Sequence, residues 1–129
     1  MISEKLFAAI EFAAKAHEGQ KRKGEGGPYI AHPFSVALTL LDFGYDEDVA
    51  IAGLLHDVVE DTEHGHDKFK DMFGEKISVF VQNVSEDTGI TNRSERKEKY
   101  RNHLQTVDTE SRAISAADFL NNLLSIKKD

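Results

Sequence analysis

The chain has 129 residues, 40% of them hydrophobic, a net charge of −7 and no cysteine. That length suits one globular domain around one core, and the absence of cysteine excludes disulfides and thiolate metal sites, leaving His, Asp and Glu to hold any ion. The acidic balance argues against a general nucleic-acid binder, and no signal peptide or bilayer-length apolar run is present, so the expectation is a cytosolic protein with neither a nucleic-acid nor a membrane partner.

Taken in chain order, the segments read as helices. Ser3 can cap a first helix whose stripe is Leu6, Ile10 and Ala13 or Ala14, closing near Gly19. Residues 21–29 form a charged, Gly-rich connection, and Pro33 suits the first turn of a second helix, 34–43, stopped by Gly44. Asp46 or Glu47 opens a third helix carrying Val49, Ile51, Leu54, Leu55, Val58 and Val59. Being apolar nearly all round, it should run through the middle of the domain. A short helix over 67–72 stops at Gly74, and 76–84 continues as another, although "ISVFV" at 77–81 is the best strand candidate in the chain. Asn92 or Ser94 begins a charged helix to about Gln105, and Thr109 begins the last, to about Ile126. No alternating run is bounded by hairpin turns, so the fold expected is an all-α bundle.

The third helix also carries ionisable groups that its apolar neighbours make expensive. In "GLLHDVVEDT", 53–62, His56 and Glu60 stand four apart, as do Asp57 and Asp61, so each pair shares a face. Buried carboxylates and an imidazole need compensation, and a divalent cation supplies it; His with Asp suits Mn, Fe, Co or Zn. His32 beside Pro33, and Asp118 in the apolar "ISAADFLNNLL", are two further candidate ligands. Each has an ordinary explanation alone, His32 as a capping residue and Asp118 as a solvent-facing carboxylate. Four together make those explanations weak.

"AHEGQKRKGEGGPYIAHP", "GLLHDVVEDT" and "AADFLNNL", in this order, resemble the HD-domain metal-dependent phosphohydrolases, specifically the hydrolase domain of RelA/SpoT-type alarmone enzymes and their small single-domain relatives. The resemblance runs from about Leu6 to Ile126 and implies an HD-type helical bundle. It implies that His32, His56, Asp57 and Asp118 hold one metal ion, usually manganese. Glu60 and Asp61 match the acidic pair that orients and activates the attacking water. Arg22 and Lys23 match the basic pair beside the nucleotide, the arginine stacking on the purine. Asn122 matches an asparagine that contacts the nucleotide sugar. The implied reaction removes pyrophosphate from the 3′ position of guanosine tetra- or pentaphosphate (ppGpp or pppGpp).

The chemistry of the residues agrees. An ion with four protein ligands keeps positions for a phosphate oxygen and a water, whose pKa falls from 15.7 towards about 7. A carboxylate one turn from a ligand can accept the remaining proton. Two positions depart from the alarmone pattern: Phe119 stands where an arginine follows the last ligand, and Asn121 where a histidine precedes the asparagine. Small family members also continue with further helices, so 1–129 reads as a single domain lacking C-terminal helices usual in the family. An apolar face left bare would favour a homo-oligomer. Two alternatives stay open: an HD phosphohydrolase acting on another nucleotide or phosphate ester, and a non-catalytic nucleotide-binding module.

The remaining candidates have plainer readings. His17 reads as a packed or capping histidine, and His64 and His66 as part of a helix entry. The run "NRSERKEKYRNH", 92–103, interleaves Glu95 and Glu98 with its cations and reads as a solvated helix face.

Overall fold

In the computed structural model, which describes residues 1–23, 26–58 and 66–128, Ser3 caps the first helix as its position predicts. Its Oγ accepts from the Leu6 N–H at 3.1 Å, and α1 spans Glu4–Ala16. A loop with one bridge, between Lys21 and Pro28, leads into α2, Ala31–Asp42. This helix starts before Pro33, which leaves His32 inside its first turn. Gly44, at φ +91°, supplies the left-handed turn that ends it. The Asp46 side chain then accepts from the Val49 N–H at 3.1 Å and opens α3, Glu47–Leu55. The chain continues as α4 (His66–Phe73), α5 (Glu75–Asn83), α6 (Arg93–Leu104) and α7 (Thr109–Lys128). The 77–81 segment is helical, and among the described residues there is no strand beyond that one bridge.

Every residue from Val49 to Leu55 is buried. That is what an apolar surface without a polar side requires, and α3 accordingly packs against α1, α2, α5 and α7. Burial of Ile51, Leu54 and Leu55 contributes about 1.5–3 kcal/mol for each side chain. The helix is shorter than its sequence suggests. It ends at Leu55, so His56 and Asp57 form the turn that follows it. The His56 ring itself takes up the Gly53 carbonyl, with Nδ1 at 2.5 Å from the oxygen.

The polar floor of the domain therefore lies where the start of α2, the end of α3 and the middle of α7 meet. On the outside, Phe34, Leu38 and Phe43 of the α2 region and Leu120, Leu123, Leu124 and Ile126 of α7 are exposed. No helix among the described residues is long and apolar enough to cross a membrane.

Candidate metal centre and its cleft

His32, His56, Asp57 and Asp118 each place one ligand atom within 4.8 Å of the others. Two helices and a turn deliver them. α2 supplies His32, the turn after α3 supplies His56 and Asp57, and α7 supplies Asp118. His32 Nε2 and His56 Nε2 lie 2.7 Å and 3.0 Å from the same oxygen, Asp118 Oδ1. Asp57 Oδ1 is 2.9 Å from His56 Nε2, and Asp57 Oδ2 is 3.8 Å from His32 Nε2. The Tyr29 hydroxyl donates to Asp57 Oδ2. Both imidazoles and Asp57 are buried; Asp118 is partly open to the cleft.

The far side of each ring decides what the near side can do. His56 Nδ1 faces a carbonyl, which can only accept, so Nδ1 carries the proton. His32 Nδ1 is 2.6 Å from Asn121 Oδ1 and donates to it. A neutral imidazole protonated at Nδ1 has its lone pair on Nε2. Two Nε2 atoms and two carboxylates point at one place, so positive charge belongs among them, either as Nε2 protons shared with the carboxylates or as a cation that takes both lone pairs. Two nitrogen and two oxygen donors suit a borderline divalent ion, so these residues fit the metal implied by the motif.

The electrostatics register the same demand. Burial by itself would lower the His56 pKa, but the charge of Asp57 and hydrogen bonds to Asp118 and Asp57 outweigh it, and the ring is held well above its usual value. Burial would raise Asp57, yet the His56 charge, the His56 hydrogen bond and the Tyr29 hydroxyl bring it below the usual carboxylate range. Asp118 is also desolvated, and hydrogen bonds from His32 and His56 hold it far below that range.

Two recesses flank the centre. One, of about 340 Å³, is bounded by Arg22, Lys23, His32, Ser35, Asn121 and Leu124. The other, of about 730 Å³, runs past His56, Asp57, Asp118, Phe119 and Asn122 to a wall formed by α6. Arg22 Nη2 donates to Asn122 Oδ1 at 3.3 Å, and its Cζ lies 6.0 Å from the centroid of the Tyr29 ring. Lys23 is exposed at the recess mouth. The predicted substrate residues are therefore neighbours of the centre. Glu60, Asp61 and His64 lie outside the described residues.

The structure adds to one reading. Sequence 92–103 is not only a solvated face: Arg93, Lys97, Tyr100 and Arg101 of α6 line the larger recess, joined by Arg112 of α7. The signal was present, since 93, 97 and 101 fall on one helical face; the interleaved glutamates hid it, because the stripe matters and the run does not. Lys99 pairs with Asp87 at 2.9 Å. Asn121, which stands where the alarmone pattern has a histidine, brings its own side-chain oxygen to His32. His17 is buried at the C-terminal cap of α1, with Nδ1 2.8 Å from Gln20 Oε1.

A helical bundle that gathers two imidazoles and two carboxylates on its buried floor defines a class of α-domain equipped to seat a metal ion. A family model described as an HD domain matches residues 9–129, and the chain belongs to the HD-domain family. It is 38% identical over 126 residues to a guanosine-3′,5′-bis(diphosphate) 3′-pyrophosphohydrolase of Aquifex aeolicus, covering 96% of this chain and 18% of that one. Identity with the zebrafish (Danio rerio) enzyme of the same name, MESH1, is 34%, over 95% of this chain and 69% of that protein. The chain thus spans under a fifth of the first relative and about two thirds of the second. Among solved structures, a metazoan SpoT ortholog described as hydrolysing ppGpp superposes with TM-score 0.92 at 31% identity, covering 98% of this chain and 72% of that one.

Proposed function

We propose that the chain is a metal-dependent phosphohydrolase that removes pyrophosphate from the 3′ position of guanosine tetra- or pentaphosphate. The observation that carries this reading is the convergence of His32, His56, Asp57 and Asp118 on one point at the floor of a cation-lined cleft. The names of the relatives supply the substrate class. Those four residues would hold a single divalent ion, for which manganese is the expectation that the family pattern carries. When bound, such an ion polarises a phosphoryl group and makes a water more acidic.

The chain's own groups do the rest. Tyr29 and the Gly53 carbonyl fix the orientation of Asp57 and His56. Arg22 offers its guanidinium face to a purine, with Lys23 and Asn122 beside it. Arg93, Lys97 and Arg101 of α6, with Arg112 of α7, neutralise phosphate charge in the larger recess, so cations face the substrate although Phe119 stands where the alarmone pattern has an arginine. Glu60 and Asp61, three and four residues after Asp57, are assigned by motif spacing to take the water's proton. Water adds to the phosphorus on the 3′ oxygen and the bond between them breaks. The proton taken from the water is returned to the departing 3′ oxygen, giving GDP and pyrophosphate from guanosine tetraphosphate. A second copy of the chain is the partner expected for the exposed α2–α7 apolar face, and a sedimentation mass near 14.4 kDa would remove that expectation.

The test is purified protein with manganese and a nucleotide panel, scoring pyrophosphate against orthophosphate. Pyrophosphate with GDP from guanosine tetraphosphate is the expected result. Orthophosphate from simple nucleotides would replace it with a different HD phosphohydrolase, and tight nucleotide binding without turnover with a binding module. Asp57→Ala should abolish metal binding, whereas Glu60→Ala should keep the ion and lose most turnover. Equal metal loss in both would show that the roles are misassigned.

A further inference from the structure

α7 meets both nitrogens of one imidazole. Asp118 Oδ1 stands 2.7 Å from His32 Nε2, and Asn121 Oδ1, one turn further along the same helix, stands 2.6 Å from His32 Nδ1. His32 is buried and Asn121 half-buried, so this geometry is not that of a chance surface contact. The rigid rise of the helix fixes the two oxygens relative to each other, and the ring is held between them. His56 is oriented differently: its Nδ1 partner is the Gly53 backbone carbonyl, which any residue at 53 would supply. The orientation of His32 depends on which side chain occupies position 121.

We propose that Asn121 is a positioning residue for the metal centre: its carbonyl oxygen holds the His32 proton on Nδ1 and so presents the Nε2 lone pair to the ion. The role rests on the metal-centre reading given above and adds a residue to it. The partner that a metal-bound histidine meets through its other nitrogen sets its tautomer, ring orientation and basicity, and loss of that partner typically reduces metal affinity or activity about 10–100-fold. Asn121 also lines the recess that holds Arg22, so the same side chain separates the nucleotide recess from the ion.

The experiment compares the full chain with Asn121→Leu, Asn121→Asp and the neighbouring control Asn122→Ala. Manganese affinity is measured by calorimetry, and the His32 tautomer by long-range 1H–15N correlation in the zinc-loaded protein. Asn121→Leu should bind manganese about 10–100-fold more weakly and lose the single Nδ1–H signature. Asn121→Asp, which can only accept, should keep both within a few-fold of the original, and Asn122→Ala should leave both unchanged. At saturating manganese the loss in Asn121→Leu should fall on kcat more than on KM. Melting of the chelated variants checks that they are folded, which tests the role apart from structural damage. Asn121→Leu binding manganese as tightly as the original protein would overturn the proposal, as would Asn121→Asp binding as weakly as Asn121→Leu. Failure of the unsubstituted protein to bind any divalent ion would overturn the centre itself, and the role of Asn121 with it.

Discussion

Tyr29 joins two parts of the site. Its hydroxyl donates to Asp57 Oδ2, while its ring lies between those of His17 and His32, at centroid distances of 4.9 Å and 5.7 Å. Tyr29→Phe keeps the ring packing and removes only the donor to a buried carboxylate. Manganese affinity should therefore fall by about an order of magnitude, within the range seen when such outer partners are lost, with little change in melting temperature. Unchanged affinity in a competition with a fluorescent chelator would show that the hydroxyl does not orient Asp57. Arg22 makes a different prediction. It sits over Tyr29 and reaches Asn122, away from the ligand atoms. Arg22→Ala should raise KM by roughly five- to thirtyfold, the equivalent of about 1–2 kcal/mol of cation–π and stacking interaction, and leave metal affinity alone. At this scale His32, His56, Asp57 and Asp118 were legible because buried charges in apolar helices demand a partner. Asn121 was not: an amide can pair with almost anything, and only the folded distance to His32 shows what it does.

At the scale of elements, α3 was predictable and its end was not. Seven consecutive buried residues follow from an apolar surface with no polar side. It ends at Leu55, where the His56 ring turns back to the Gly53 carbonyl, a contact that local pattern does not reveal. Gly53 is also where α2 and α3 approach each other closely. A Cβ there would lie 2.7 Å from Leu40 Cδ1 and 3.2 Å from Val36 Cγ1, both fully buried. Alanine would regain about 1 kcal/mol of helix propensity against that crowding, so the informative substitution is larger. Gly53→Val should destabilise by about 2 kcal/mol through overpacking, measured by urea denaturation of the chelated protein. Neutral behaviour would mean that α2 moves away without loss. α6 makes the functional prediction. Lys97 Nζ lies 2.7 Å from Glu86 Oε2, and both side chains line the cleft beside Asp57. A phosphate entering there competes with Glu86 for the lysine. Lys97→Ala removes a charge-assisted contact of about 1.5–3 kcal/mol, so KM should rise roughly ten- to a hundredfold. Glu86→Gln, which weakens the competing acceptor, should lower KM. Two substitutions moving KM in the same direction would place Lys97 in a structural pair instead.

At the scale of the whole molecule, the ligands are far apart in sequence: 24 positions separate His32 from His56, and 61 separate Asp57 from Asp118. The unfolded chain cannot present them together, so an ion bound at the centre binds the folded state almost exclusively. Its binding then adds RT ln(1 + [ion]/Kd) to stability, about 2.7 kcal/mol when the free ion is at a hundred times its Kd. For a chain between the 60–100 and 150–250 residue classes, each kilocalorie shifts the melting temperature by roughly 3–5 °C. Manganese at that excess should therefore raise the midpoint by roughly 10 °C over the chelated protein, and each further tenfold in free ion should add about 1.4 kcal/mol. An ion held there would tether the start of α2, the turn after α3 and the middle of α7, so the effect would belong to the cooperative unfolding of the bundle and should be seen alike by circular dichroism and by tyrosine fluorescence. Asp118→Ala separates this from a general salt effect. The variant removes one ligand from a partly open position on α7, should remain folded when chelated, and should lose most of the concentration-dependent rise. A midpoint that climbs equally in Asp118→Ala and in the original protein would mean that manganese acts elsewhere on an acidic surface, and that the four side chains hold no ion between them.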